Sequence, residues 1–436
     1  MPDPEPNEDD IEALRKFLKG FVPEAEFLDA ESLAKIAGMM GDQKPEDLAR
    51  TLNQAMQNWV SSPDRTAGVD WNLAASAAKK RIATDNLAVT EAAQESIARA
   101  VGLANLWLSS ATQISELAVE PKLMTRDLWI EDAISLYRSL ADPIASKMSK
   151  ALTDALRESA PEELGETVNS LTGMLEAAGG AMFAMQLGQA LGNLSTEALT
   201  ASDLGLSIFA EPRPGFVVQN LLAYIDSLEV DQDAALIYFA VREIASARLF
   251  KHSRWLREQV VTQISAYASE LTADIDRLAE IAENFDPNRD VNELFEQQNL
   301  VKEPTDEQRR ALENIETLLA LIEGWVDVVT AEATKLLPQA AAIAEAVRRR
   351  RATGGPAEKT FATLVGLELR PRKLREASAL WAAIGDSLGN DKRDALWSHP
   401  DQLPTAEDIA NPAGLIARIK NGGDDLDQEL RKLLEG

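Results

Sequence analysis

The 436-residue sequence contains no cysteine and only two histidines, His252 and His399. The absence of cysteine excludes disulfides, thiolate metal sites and a cysteine nucleophile. A metal site with nitrogen ligands would have to draw on the two histidines. The sequence therefore offers very little material for a zinc centre.

Signals for export and for membrane insertion are also missing. The first six residues are acidic and proline-rich, and the N-terminal segment has neither the basic region nor the apolar region of a secretory signal peptide. The longest uncharged stretch, residues 177–196, is diluted by glutamine, asparagine and glycine, which favours a buried helix over a membrane span. We therefore predict a cytoplasmic protein without a membrane partner.

Positive charge is scarce. The chain has 44 basic and 71 acidic residues, a formal net charge of −27, which repels a phosphate backbone and predicts no nucleic-acid partner. The densest basic run is Arg348, Arg349, Arg350 and Arg351. It could be a patch for an anionic partner, although such a run is more often a solvated helix C-terminus.

Aromatic residues make up only 5% of the chain, and alanine, leucine and glutamate are abundant. These propensities favour helix over sheet. We predict an all-α, multi-helix fold with more than half of its residues helical and at most short β pieces. A hairpin or extended loop is expected near residues 205–219, where prolines interrupt the helical periodicity.

The chain divides into two parts on this interpretation. Residues 1–66 are predicted to form an acidic tail and variable helices, and residues 67–436 a helical domain with a short C-terminal tail helix. In the central helix, Gly180, Ala184, Gly188 and Gly192 recur at every fourth position and predict close approach of another helix. Phosphate binding is not expected, because these glycines do not lie in a strand-to-helix turn.

One segment, residues 236–256, carries a family resemblance. It reads LIYFAVREIASARLFKHSRWL and resembles the motif helix of an actinobacterial zincin-like family of zinc-dependent metalloproteases and hydrolases. Other landmarks of that family follow in order from about residue 67 to about residue 420, among them TRDLW at 125–129, LIEGWVD at 321–327 and LPT at 403–405. The resemblance implies a zincin-like helical fold.

The resemblance also implies a zinc site. Its ligands would come from a His-Glu-x-x-His motif on one helix and from a glutamate on a downstream helix. Two histidines at i and i+4 bind one Zn²⁺ from one helix face, while the intervening glutamate activates water as the general base. Here the two histidine positions hold Arg242 and Ser246, and only Glu243 remains, as a vestigial general base. Arginine stays protonated and repels a dication, and serine is a poor zinc ligand. We therefore expect no metal and no cofactor, with His252 in a capping or packing role.

The former active-site cleft should be bordered by the downstream helix. Glu323 and Asp327 lie at i and i+4, and the resemblance directs them, with Trp325, towards the old metal site. Carboxylates in such apolar surroundings need a positive partner. We predict a salt bridge from Arg242 to Glu323 or Asp327, with Glu243 on the second side of the guanidinium.

Three functions are compatible with these residues. The first is an inactive zinc-metalloprotease homologue, a metal-free pseudoenzyme scaffold that reuses the cleft to bind a peptide or protein. The second is a functioning hydrolase or metalloprotease that uses Glu243 and ligands not recognisable in the sequence. The third is a purely structural protein whose cleft has filled in.

Overall fold

A computed structural model describes residues 69–159, 165–203, 205–269, 305–353, 359 and 373–421, with backbone alone within 148–179 and at 182. The predicted segment 1–66 and the tail helix beyond residue 421 lie outside these ranges. Within them the chain is mainly helical and has two short strands, which confirms the all-α prediction. Every helix in these ranges is too short or too polar to cross a membrane.

Twelve α-helices and two strands have defined bounds in the described ranges. In chain order they are α1 (Trp71–Ile82), α2 (Glu91–Ala111), β1 (Lys122–Met124), α3 (Arg126–Ser159), α4 (Gly165–Glu197), β2 (Gly215–Val217), α5 (Val218–Asp226), α6 (Gln232–His252), α7 (Trp255–Ser269), α8 (Asp306–Ala333), α9 (Ala340–Thr353), α10 (Leu374–Leu388), α11 (Asn390–Ala395) and α12 (Ala406–Ala410). A 3₁₀ turn covers Pro400–Gln402, and residues 412–421 are also helical.

The chain forms two compact units. One comprises residues 1–73, 144–185 and 271–304, and the other comprises residues 74–143, 186–270 and 305–436. In the second unit α6 packs against α2 and α8, while α7 and α10 flank α8. All of the site residues described below belong to this second unit.

Helix α6 is the central element of the second unit. Its apolar residues are distributed around the whole helix, so it has no solvent face and most of its side chains are buried. The Asp231 side chain caps its first turn by accepting a hydrogen bond from the Ala234 amide at 2.8 Å. The chain leaves the helix at Ser253, after the basic residues Lys251 and His252.

Helix α8 begins with a reciprocal capping box. Thr305 accepts from the Gln308 amide, and the Gln308 side chain accepts from the Thr305 amide. Its core face holds Trp325, whose indole nitrogen donates to Asp394 at 2.9 Å. These contacts fix the rotation of α8 about its axis, and hence the direction in which its carboxylates point.

The small sheet differs from the expected hairpin. Strand β2 lies in the predicted region, but its partner is β1, and the strands pair in parallel with Leu123 opposite Phe216. A parallel pair cannot be closed by a tight turn, so the helices between the strands form the crossover. Of the two alternatives expected near residues 205–219, the hairpin does not occur, and the segment is an extended loop that leads into strand β2.

The glycine repeat has the packing role expected from the sequence. A Cβ at Gly188 would lie 2.3 Å from the Ala74 carbonyl oxygen, and one at Gly192 would lie 2.9 Å from the Arg81 Cβ. Neither distance is sterically possible without movement. The spacing therefore allows the C-terminal part of α4 to approach α1 closely.

Candidate functional site

Arg242 on α6 faces Glu323 on α8. An Nη2 hydrogen of Arg242 is donated to Oε2 of Glu323, so the expected salt bridge is present. The two side chains are 15% and 4% exposed, which makes this a largely buried ion pair. Burial alone would lower the pKa of Arg242, but Glu323, Tyr238 and Asp327 together raise it above the ordinary value. The guanidinium is therefore held in its charged form.

A second arginine binds the other oxygen of the same carboxylate. Arg351 on α9 donates from Nη2 to Oε1 of Glu323 at 3.1 Å, and its side chain is only 3% exposed. Arg242, Glu323 and Arg351 will be called the Glu323 cluster. In it one buried carboxylate is shared by two guanidinium groups on two different helices.

Asp327 has its own arginine. Arg348 approaches it through Nε at 3.2 Å and Nη2 at 3.1 Å, and the Ser378 hydroxyl lies 3.2 Å from the same oxygen, Oδ2. Arg242 therefore pairs with Glu323, and Asp327 is bound from α9 and α10.

Arg350 pairs with a residue that the sequence did not single out. The Arg350 guanidinium lies 2.8 Å from Oδ2 of Asp203, a residue of the loop after α4. It also donates a hydrogen bond to the Glu197 carbonyl at 2.6 Å. Burial would raise the pKa of Asp203, but Arg350, Arg351 and the Leu199 amide outweigh burial and lower it. The only signal for Asp203 in the sequence was the need of each arginine for a partner.

These pairs change the interpretation of the arginine run. Arg348, Arg350 and Arg351 are ion-paired within the second unit, and Arg349 is the exposed member of the run. The run therefore does not form the exposed patch considered for an anionic partner. The periodicity of α9 turns three of the four side chains towards acidic groups on neighbouring segments.

Glu243 points away from the Glu323 cluster. Its Oε1 accepts from the Gly215 amide at 3.0 Å, and its Oε2 accepts from the Ser202 hydroxyl. It is 1% exposed, and burial raises its pKa to about 7, although hydrogen bonds from Ser202, Thr200 and Gly215 limit the rise. The prediction that Glu243 lies on the second side of Arg242 is therefore wrong, since it instead binds α6 to β2 and to the loop after α4.

Trp325 also lies outside the cleft. It is fully buried on the opposite side of α8, where it contacts Trp397 edge to face. It belongs to the core between α8, α10 and α11.

A small cleft remains beside Arg242. Its cavity volume is about 20 Å³, room for one or two water molecules. Its polar lining comprises Thr200, Ser202, Asp203, Arg242, Ser246, Glu323 and Arg350. Leu199, Thr200, Ser202 and Asp203, from the loop after α4, line one side of this cleft.

The family profile of the zincin-like metallopeptidases matches residues 69–416. The chain belongs to this zincin-like metallopeptidase family. A crystal structure from Chloroflexus aurantiacus, named "putative hydrolase with a novel fold", matches with a TM-score of 0.56 at 20% identity over 81% of this chain and 99% of that one. This likeness supports the fold alone, and no curated protein matches the sequence.

The donor groups of this zincin-like chain do not fit zinc. Arg242 and Ser246, which the resemblance aligns with the two motif histidines, are not zinc ligands, and the Arg242 guanidinium is already bound to Glu323, the acidic group opposite. His252 is exposed at the end of α6, and the His399 side chain, which is 61% exposed, accepts from the Asp401 amide. In the part of the chain that the structure describes, no three His, Cys, Asp or Glu side chains are grouped to hold a metal.

Proposed function

We propose that this chain is a metal-free, non-proteolytic member of the zincin-like family, in which the Arg242 guanidinium supplies the positive charge that zinc would otherwise supply. The observation that carries the proposal is the buried contact from Arg242 to Glu323. Arginine at this position cannot lose its proton, and its planar fork suits a carboxylate. A protein scaffold is thus the function that this geometry supports best.

The contact between Arg351 and Glu323 strengthens the proposal. Because Arg351 binds the remaining oxygen of Glu323 at 3.1 Å, no oxygen of that carboxylate is left without an arginine. A metal ion would have to displace two buried ion pairs and would gain only one carboxylate ligand. Displacing such pairs costs several kcal/mol.

Peptide binding in the cleft gains no support from the geometry. A cavity of about 20 Å³ is too small for a peptide side chain. A peptide or protein partner would have to use another surface. The function we propose is therefore confined to a scaffold with a closed former active site.

Hydrolysis by Glu243 was the alternative, and one observation favours it. A pKa of about 7 suits a general base at neutral pH. However, the carboxylate is 1% exposed, both oxygens accept hydrogen bonds from Ser202 and Gly215, and it does not border the cleft. A base must reach the proton that it removes, so this arrangement favours a structural role for Glu243.

The proposal can be tested by rebuilding the zinc motif. Zinc affinity would be measured by calorimetry for the wild type, Arg242→His and Arg242→His/Ser246→His. The double variant should bind zinc, because two histidines and the released Glu323 make a three-ligand site. The single variant should not, and it should lose about 2–3 kcal/mol of stability because Glu323 keeps only one arginine.

The matched control is Glu95→His/Arg99→His, a histidine pair at the same spacing on an exposed face of α2. It should bind zinc at least tenfold more weakly than the rebuilt motif, because an exposed helix face does not hold a third ligand in a fixed position. Nanomolar zinc binding by the wild type or by Arg242→His would overturn the proposal, because it would require ligands that the described residues do not supply.

A further inference from the structure

Basic side chains from several segments meet where α6 ends and α7 begins. They lie on β1, in the loop before β2 and on both sides of the α6–α7 junction, all within the second unit. These residues are Lys122, Arg213, Lys251, Arg254 and Arg257, which will be called the corner surface. None of them lines the cleft beside Arg242.

Contacts across the corner hold these groups close together. Glu211, in the loop before β2, lies 3.3 Å from Nζ of Lys251 and 3.4 Å from Nη2 of Arg254. Two residues further along the loop, Arg213 donates to the Glu120 carbonyl at 2.7 Å. The α6–α7 junction is therefore linked to the loop before β2.

Helix α3 borders the same surface. Its Asp132 binds Lys122 at 2.6 Å. The Ser135 hydroxyl, about one turn further along α3, accepts a hydrogen bond from Nη2 of Arg257 at 3.4 Å. Lys122 and Arg257 are thereby brought to the same side of α3.

Two of these cations have no carboxylate partner. Among the described residues, Arg213 and Arg257 form no ion pair, since their hydrogen bonds go to a carbonyl and a hydroxyl. Burial lowers the pKa of Arg257, and no described acid offsets it. The exposed carboxylate of Glu211 is shared by Lys251 and Arg254.

The local balance of charge differs from that of the whole chain. Glu120 and Glu258 also neighbour the corner surface, so with Asp132 and Glu211 four acids stand beside five basic groups. The whole chain has 71 acidic and 44 basic residues. Exposed charges farther apart than about 8 Å are largely screened at physiological ionic strength. A short ligand at this corner therefore meets the local charge and not the net charge of −27.

Three buried N–H groups at the corner have no hydrogen-bond acceptor. They are Nε of Arg213, Nη1 of Arg257 and the indole Nε1 of Trp255. The two arginine side chains are only half-buried, so a change of rotamer brings their N–H groups to the surface. A buried donor without an acceptor costs free energy, and carboxylates are the acceptors that match a guanidinium group. These donors therefore indicate a ligand with several carboxylates.

We propose that the corner surface binds an acidic segment of a partner protein, whose Asp and Glu carboxylates pair with Arg213, Arg254 and Arg257. The basic groups are spread over an open surface, which suits an extended chain better than a single small anion. A long nucleic acid would reach beyond the corner and meet the acidic remainder of the molecule, which repels it. This inference goes beyond the proposed function and does not depend on the absence of zinc.

The test measures the fluorescence anisotropy of a labelled polyglutamate peptide titrated with the full-length protein. Lys251→Gln/Arg254→Gln removes two charges from the corner surface and should weaken binding about tenfold. Its matched control, Arg349→Gln/Lys392→Gln, removes two exposed charges elsewhere in the second unit. The control changes the net charge equally and should leave binding unchanged.

Glu211→Gln gives a readout in the opposite direction. The Glu211 side chain is 76% exposed, so the fold should tolerate the change. Loss of this carboxylate frees Lys251 and Arg254, and the peptide should bind about two- to threefold more tightly.

Weaker binding by Lys251→Gln/Arg254→Gln together with tighter binding by Glu211→Gln supports the corner surface as the site. Three results overturn the proposal: no binding of the peptide to the wild type, equal weakening in the two double variants, or tighter binding of a labelled oligothymidylate than of the peptide.

Discussion

At the scale of single residues, the arginine at position 242 explains the arrangement around it. A neutral histidine needs a metal to neutralise an opposing glutamate, whereas arginine neutralises it directly through hydrogen bonds. The contact to Glu323 is buried enough that water screens it only weakly. Arg242 thus links α6 directly to α8.

Glu243 gives a pH-dependent prediction at the same scale. Its pKa rises from 4.5 to about 7 on folding. Below pH 4.5 the carboxyl is protonated in both folded and unfolded chains and costs nothing. As the pH rises from 4.5 to about 7, the unfolded chain releases this proton while the folded chain retains it, so the wild type loses stability across this range. The full loss is about 3 kcal/mol at alkaline pH.

The variant Glu243→Gln cannot ionise and should not show this loss. Urea unfolding at pH 5 and at pH 8.5 should give a smaller stability difference for Glu243→Gln than for the wild type. Glu345→Gln, which changes an exposed glutamate on α9, is the control and should follow the wild type. A wild-type curve parallel to that of Glu243→Gln would mean that Glu243 is not desolvated.

Helical geometry explains which side chains could be placed from the sequence. Successive residues of an α-helix turn by about 100°. Glu323 and Asp327 therefore share one face, while Trp325 lies almost opposite Glu323, and Glu243 lies well away from Arg242. The Arg242 contact was predictable from charge. The direction of Glu243 depends on Ser202 and Gly215, which belong to distant segments that periodicity does not bring together.

At the scale of elements, the packing of α8 against α10 holds the Glu323 cluster in place. Gly324 lies next to Glu323, and a Cβ there would lie 2.8 Å from the backbone of Ala377 and Ser378. Gly324→Ala should therefore force α8 and α10 apart and destabilise the protein by about 1–3 kcal/mol. Thermal or urea unfolding measures this directly.

Gly102→Ala is the matched control. A Cβ at Gly102, within α2, meets nothing within 4 Å, so alanine should stabilise that helix by about 0.5–1 kcal/mol through its higher propensity. Opposite signs for the two substitutions are the expected result. Tolerance of Gly324→Ala would indicate that the two helices do not approach as closely as described.

The elements themselves were only partly predictable. Helical periodicity and composition predict α6 and α8, because each has a capped start and an apolar core run. The strand pair β1 and β2 was not predictable, since each strand has three residues and their pairing joins segments far apart in the chain. That pairing positions Gly215 against Glu243, so the orientation of Glu243 could not be predicted either.

At the scale of the whole molecule, the acidic composition and the internal arginines have separate roles. A net charge of −27 favours solubility and disfavours nucleic acid, but it does not describe the interior. In the second unit, arginines from α6 and α9 bind carboxylates on α8 and on the loop after α4. Ion pairs of this kind can hold the helices of a zincin-like fold together without a metal ion.

The most direct test of this account is the zinc content of the full-length wild-type protein, purified without chelator from zinc-supplemented cells and measured by elemental analysis. The account predicts far less than one zinc per chain after dialysis, with no change in zinc content for Glu323→Gln. One tightly bound zinc per chain, lost in Glu323→Gln, would contradict it, because Glu323 would then bind a metal and not Arg242.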